Sequence, residues 1–319
     1  MNFFKSLLGT TAITEKVRGL YYKQEADKQE LKVQIRNLEE ELLFAQGQLA
    51  AELLKSKKIS RIQDAEFHVF SQFGEDGIIQ FLLQRLPEIP QVFIEFGVES
   101  YVEANTRFLL RHNNWKGLII DGSRENMEIV RNSNLYWRHD LTAVDAFITR
   151  ENINSLFTEF GFSGETGLLS IDIDGNDYWV WEEITAVSPQ IVVAEYNSYF
   201  GPERPVSVPY KPDFNRTKAH YSNLYFGASL AALHHLGTKK GFELVGCNNA
   251  GNNAFFVKKE RLPQVGLPAL TPAEAFVEAR AREARNPDGS LSFAGAEQRR
   301  QIIHGLPVID VITGQEEFL

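Results

Sequence analysis

Two stretches of this chain, LLSIDIDGND at 168–177 and IVVAEYNS at 191–198, each place acidic or amide side chains where an apolar run stops. Read as parallel strands, they bring Asp172, Asp174, Glu195 and Asn197 to the carboxyl edge of one sheet, the edge at which open α/β folds bind ligands. Carboxylates converging there point to an enzyme rather than a scaffold. The DIDGND stretch also reads as an Asp-rich turn whose side chains cap backbone amides at a helix start. It is only part of a calcium loop, because Glu183 at the twelfth position follows a helical WVWEE without loop ligands.

A second ligand edge lies in the turn EFGVESYVEANT, where a dinucleotide-binding sheet carries its glycine fingerprint. Only Gly97 is present. Without further glycines a pyrophosphate cannot approach the backbone closely, so an NAD or FAD site of the usual kind is not expected. Glu95 and Glu99 would repel a pyrophosphate and attract a cation, such as the sulfonium and ammonium groups of S-adenosylmethionine. Asp121 ends the run GLIID, about where a carboxylate binds ribose hydroxyls in such folds. Asp140 follows the expected third strand in WRHDLT, where a carboxylate can accept the exocyclic amine of adenine. Either acid also suits a helix N-cap. His220, in a long polar loop, is the candidate general base, since imidazole titrates near neutrality. Tyr196, Tyr199, Phe200, Tyr210, Tyr221, Tyr225 and Phe226 crowd the same loop and could stack on a sugar ring.

The segments SQFGEDG at 71–77, FIEFGVES at 93–100, LIIDGSRENMEIVRN at 118–132 and LLSIDIDGNDYWVW at 168–181 resemble, in this order, an FkbM-type S-adenosylmethionine-dependent methyltransferase. The resemblance covers about 71–260. It implies a Rossmann-like methyltransferase sheet in which Glu95, Gly97, Asp121, Gly122, Ser123, Asp140 and Asp172 surround the cofactor. Gln72, Glu75 and Asp76 would then lie near the active centre; otherwise they read as the acid-rich start of a helix, favoured by its dipole. Glu99 departs from the pattern, standing where a glycine is common in methyltransferases. The site is also similar to that of catechol O-methyltransferase, which holds Mg²⁺ with an Asp after its fourth strand and an Asp-Asn pair after its fifth. Asp172 or Asp174 matches the first position, and Glu195 with Asn197 resembles the pair with one residue inserted. All-oxygen ligands suit a hard cation, Mg²⁺ or Mn²⁺, that would lower the pKa of a substrate hydroxyl, with Asp174 also catalytic. A metal-free polar site and a structural Ca²⁺ remain alternatives. The activity implied is O-methylation of a sugar or glycan precursor. Its rivals are an inactive methyltransferase-like scaffold in glycan assembly and a glycosyltransferase using Asp172-x-Asp174 as its metal motif.

Strands alternating with helices must position these groups. The pattern predicts helices at 75–86, 103–113, 124–132, 144–160 and 177–185, and strands at 91–96, 117–121, near 135–139, 168–173 and 191–196. Residues 199–225 form a loop too long to be a mere connector. The runs FELVGC and NAFFVKK, around the turn NNAGN, read as an antiparallel pair closing the sheet. Asn248, Asn249, Asn252 and Asn253 there suit turn geometry, although one amide could reach the acceptor. An Ala/Arg/Glu helix at 272–285 opens a C-terminal helical extension over 266–319, after a methyltransferase domain at 59–265.

In residues 1–58, Leu31, Ile35, Leu38, Leu42, Ala45 and Leu49 alternate by four and three, the seam of a coiled coil that would make the protein a homo-oligomer; a single amphipathic helix folded back on its own domain is the alternative. The chain has 319 residues, 43% of them hydrophobic, enough for a substantial core. With 33 basic and 42 acidic residues its net charge is -9, which argues against a nucleic-acid partner. Cys247 is the single cysteine, so no intrachain disulfide can form and a cytoplasmic location fits. MNFFKSLLGT lacks the long apolar region of a secretory signal, while Phe3, Phe4, Leu7 and Leu8 at helical spacing suit weak peripheral membrane contact.

Overall fold

The structure, a computed structural model, describes residues 2–281 and 283–319, with side chains from 16 onward. The chain forms two compact units, one ending at Leu49 and the other spanning Ala50–Leu319. Helix α1 runs Asn2–Leu54. Along it, Leu31, Ile35, Leu38, Leu42 and Leu49 are exposed, from 47% at Ile35 to 71% at Leu38. The side chains of Phe3, Phe4, Leu7 and Leu8 lie outside the described residues. No helix among the described residues is long and apolar enough to cross a membrane.

The second unit is built on a seven-stranded sheet. Five parallel strands, β1 (Val92–Phe96), β2 (Lys116–Asp121), β3 (Leu141–Asp145), β4 (Gly164–Ile171) and β5 (Val187–Glu195), are followed by β6 (Val206–Ser207), which lies elsewhere. The antiparallel pair β7 (Phe242–Cys247) and β8 (Asn253–Lys258) completes the sheet in the order β3-β2-β1-β4-β5-β8-β7. The five strands are buried on both faces, as near-continuous apolar runs require. Successive side chains supply opposite cores: Ile119, Leu168, Ile191 and Phe255 pack on one face, and Leu118, Leu169, Val192 and Phe256 on the other. Helix α2 (Glu75–Arg85) joins the first core through Ile78, Ile79 and Leu82. The second core takes Trp181 of α6 (Asp177–Glu183) and Leu233 and Leu236 of α8 (Leu230–Lys239). This is the expected Rossmann-like sheet. Strand order reverses between β1 and β4, so the ligand crevice lies above their carboxyl ends.

Several expected elements fall differently. The run near 135–139 is helix α4 (Asn134–Arg138), not a strand, and β3 begins at Leu141. Short aromatic runs do not distinguish strand from helix, and the register is decided by pairing of β3 with β2, which sets Asp145 opposite Asp121. The helix expected at 103–113 shrinks to a π-helical turn at Leu109–Asn113, because the Glu95 carboxylate captures the amides of Asn105 and Thr106. The helix expected at 144–160 is α5 (Ile153–Glu159). Of the helix expected at 272–285, only Pro272–Ala275 forms among the described residues. The C-terminal region is therefore not a purely helical extension: besides that short helix and another at Ala296–Ile303 it contributes β9 (Pro307–Asp310) and β10 (Glu316–Phe318). These join β6 in a small antiparallel sheet.

Gly97 controls how closely β1 and β4 approach at the crevice. It has φ +67°, and a Cβ there would sit 1.7 Å from the Asp172 carbonyl oxygen. Gly97→Ala should therefore cost about 2 kcal/mol or more in urea unfolding, because neither the backbone conformation nor the neighbouring carbonyl can yield cheaply. An unchanged midpoint would show that the two strand ends are not held at this distance.

Candidate active site

Three strand ends define the crevice. At β1 the chain leaves through Gly97 and enters a left-handed Glu99, φ 46°, whose amide donates to Asp121 Oδ2 at 2.8 Å. The other Asp121 oxygen accepts the Ser123 amide at 2.7 Å. Asp121 is thus fixed by two backbone donors while still lining the cavity beside Gly97 and Gly122, which suits a carboxylate that holds a ligand diol. Glu99 occupies a conformation usually left to glycine, and its side chain stays exposed at the rim.

The β4 end is locked by a residue not expected to act. Asp177 accepts the amides of Ile173 at 2.8 Å and Gly175 at 2.9 Å, so it performs the turn-capping role. That frees Asp172 and Asp174, the latter at φ 54°, to face the cavity with Glu195 from the end of β5. One ligand oxygen from each of these three acids lies within 4.8 Å of the others. Glu195 is 9% exposed, and its Oε2 has no hydrogen-bond partner. Burial first, and repulsion from neighbouring acids second, push Asp172 and Glu195 well above the usual carboxylate range.

Opposite them stands Arg216 of α7 (Arg216–Ala219), a residue of the long loop that sequence reasoning did not single out. Its guanidinium meets Asp174 at 2.5 Å and Glu283 at 3.0 Å, donates to the Asn223 carbonyl at 2.8 Å, and lies 3.8 Å from the centre of the Phe226 ring. Nothing in the spacing of FNRTKAH separates Arg216 from Lys211 or Lys218; folding of the loop over the sheet edge selects it. Together these groups enclose a cavity of about 720 Å³. Glu95, Glu99, Glu103, Asp121, Asp172, Asp174, Glu195 and Glu283 line it, and among the described residues Arg216 is its only basic group. Gln72 also lines it, as do Tyr196, Tyr199 and Phe226 of the expected aromatic set.

Other expected site residues are used elsewhere. Asp140 precedes β3, at the opposite edge of the sheet, where its carbonyl accepts the Gly117 amide; Asp145 ends that strand instead. Asn197 is 1% exposed and consumed by the loop, donating to the Leu224 and Phe226 carbonyls and accepting the Tyr199 amide, so it is no metal ligand. Glu75 accepts from Asn248, Asn253 and the Phe73 amide, tying α2 to the β7–β8 hairpin. Asp76 accepts the amides of Val69, Phe70 and Ser71. Neither Glu75 nor Asp76 lines the cavity. The Ser123 hydroxyl caps α3 (Arg124–Arg131). His220 also lies outside the cavity: its Nδ1 faces the Ser222 hydroxyl at 2.7 Å, and its ring packs on Tyr221. It is not positioned as a base. Glu95 lines the cavity but its carboxylate is turned into the 104–106 loop, accepting from Asn105 and Thr106.

No protein-family model matches the chain, and no curated protein sequence matches it. Solved structures that match include the N-terminal domain of EvdMO1 with SAH bound, at TM-score 0.38 and 11% identity, over 65% of this chain and 93% of that one. An S-adenosylmethionine-dependent methyltransferase from Clostridium acetobutylicum has TM-score 0.38 and 8% identity over 58% of this chain and 90% of its own. TrmK from M. capricolum in complex with S-adenosylhomocysteine has TM-score 0.32 and 8% identity, over 55% and 65%.

Burial pushes three structural carboxyls upward: Asp76 to about 6, Asp177 to about 6 and Glu95 to about 7. A carboxyl whose folded pKa lies above its unfolded value favours the folded state when protonated. The stability it contributes is complete below roughly pH 4 and is lost as pH rises through 6 to 7. Urea unfolding in chelator should show a fall of about 1 kcal/mol or more between pH 5 and pH 8. A rise over that window would mean these groups are ionised in the folded protein.

Proposed function

We propose that the protein is an S-adenosylmethionine-dependent O-methyltransferase acting on a hydroxyl of a sugar or glycan precursor, assisted by a divalent cation. The observation that carries this reading is the single cavity at the strand-order reversal, with the Gly97 turn and Asp121 at one end and the Asp172–Asp174–Glu195 acids at the other. The first end suits an adenosyl moiety, with Asp121 receiving its ribose hydroxyls. The acids suit the positive sulfonium and ammonium groups beside it.

The donor would supply an electrophilic methyl on sulfur and leave as S-adenosylhomocysteine. The chain's own contribution is to place an acceptor hydroxyl against the acids and receive its proton. Glu195 Oε2, buried and without a partner, takes the role expected of His220: burial makes it a stronger base than a solvated carboxylate. Asp174 is held by Arg216 on one side and keeps the acidic wall in place. Asp172, Asp174 and Glu195 also fit a hard cation through their oxygen donors; such an ion would lower the pKa of a coordinated hydroxyl, and a Glu195 oxygen that holds it would not at the same time receive the proton.

Calorimetry with S-adenosylhomocysteine, MnCl₂ and UDP-glucose tests the reading. S-adenosylhomocysteine should bind, Asp121→Ala should weaken it tenfold or more, and Glu195→Gln should weaken Mn²⁺. Binding of UDP-glucose alone would favour a glycosyltransferase, and binding of none would favour a scaffold.

We also propose that α1 assembles copies of the chain. Its seam is apolar at heptad spacing yet exposed, as expected of a helix whose partner is a second copy. Leu38→Asp should lower the mass measured by light scattering, and an unchanged mass would place any assembly elsewhere.

A further inference from the structure

We infer that residues 276–281 and 283–285 form the acceptor-side wall of the cavity, and that this wall and the acids facing it select a phosphate-free acceptor rich in hydrogen-bond donors, a neutral or amine-bearing polyol. The term acceptor rests on the methyl-transfer reading; the wall and its charge do not.

This segment carries the composition of a helix but is held without one, by partners on four other elements. Tyr196 Oη donates to the Val277 carbonyl at 2.5 Å, and Ser198 Oγ accepts the Ala279 amide at 2.9 Å. The Arg280 amide reaches the Ala250 carbonyl at 3.1 Å, and the Arg285 amide the Ser222 carbonyl at 3.0 Å. Arg299, 5% exposed, donates to the Ala281 carbonyl at 2.8 Å and to Tyr199 Oη at 2.8 Å. Gly251 is pressed against the same segment, since a Cβ there would lie 2.6 Å from the Glu278 carbonyl carbon. The segment is therefore fastened to the ends of β5, the β7–β8 turn and the long loop.

Alternate residues Ala279, Ala281 and Glu283 face the cavity. Two methyl side chains leave space beside the acids, and the third position adds another carboxylate. Two further groups point to what fills that space. Asn176 and Asn253 line the same cavity, each 3% exposed, and each has a side-chain carbonyl oxygen without a hydrogen-bond partner. Their amide nitrogens are committed to the Lys211 carbonyl and to Glu75. A buried acceptor without a donor is costly, so a ligand that satisfies these oxygens must donate. Hydroxyl and ammonium groups donate; phosphate oxygens accept and would meet a cavity in which, with Glu95 turned into its own loop, seven acids stand against one base. Arg216 offsets only part of this, through Asp174 and Glu283, the two acids it faces.

Saturation-transfer NMR on the full chain with S-adenosylhomocysteine present tests the inference with four probes: methyl glucoside, glucosamine, glucose 6-phosphate, and UDP-glucose with Mn²⁺. The first two should bind at least tenfold more tightly than the last two. Ala281→Phe should weaken glucosamine at least tenfold while leaving the S-adenosylhomocysteine affinity within twofold, which also reports that the variant is folded. Glu283→Gln should narrow the preference for glucosamine over glucose 6-phosphate at least threefold. A phosphorylated probe binding as tightly as its neutral counterpart, no sugar signal at all, or a preference unmoved by Glu283→Gln overturns the inference. Failure of S-adenosylhomocysteine to bind, with the sugars still responding to Ala281→Phe, removes the methyl-donor reading and leaves the wall.

Discussion

Two carboxyls held side by side away from bulk water do not readily both ionise unless something positive joins them, and the half-buried Asp172 and the buried Glu195 are placed in that position by the ends of adjacent parallel strands. Much of the surrounding structure manages this constraint. Arg216 supplies one cation from the long loop, at the edge nearest Asp174. Asp177 takes over the capping of the β4 turn, so that neither Asp172 nor Asp174 is drawn into it. The orphaned Glu195 oxygen leaves room for a proton, a metal ion or a cationic ligand. Such an arrangement is unfavourable as a purely structural device, because well-paired or apolar residues would fill the same volume at lower cost. Its persistence at the one place where the strand order reverses is what gives the site a chemical meaning.

The parallel core was legible because its strands are near-continuous apolar runs, VFIEF among them, and GLIID and IVVAE each announce a strand that ends in a cavity-lining acid. The antiparallel closure was legible from two short runs around the turn NNAGN. The C-terminal region was not, because Ala, Arg and Glu favour helix only where nothing competes for the backbone, and here Tyr196, Ser198 and Arg299 do compete. Asp140 failed for a similar reason. A strand placed several residues early moves its terminal acid to the other edge of the sheet, and no local pattern distinguished LYW as helix from LYW as strand.

At the site, sequence located the acids that come from strand ends and missed the group that comes from a loop. Arg216 depends on how residues 199–225 fold back, with Asn197 gripping the Leu224 and Phe226 carbonyls to set that path. The amide expected to hold a metal thus positions the loop that carries the counter-charge. Glu75 and Asp76 likewise serve the site at one remove: Glu75 fastens the start of α2 to the hairpin that presents Asn253, and Asp76 fastens it to the preceding segment 69–71.

The most direct measurement is a crystal structure of the chain with S-adenosylhomocysteine. The ribose hydroxyls should lie on Asp121, with the sulfur directed toward Asp172 and Glu195. Ligand density anywhere other than between the Gly97 turn and these acids, or a crevice that stays empty at saturating ligand, would contradict methyl transfer at this site.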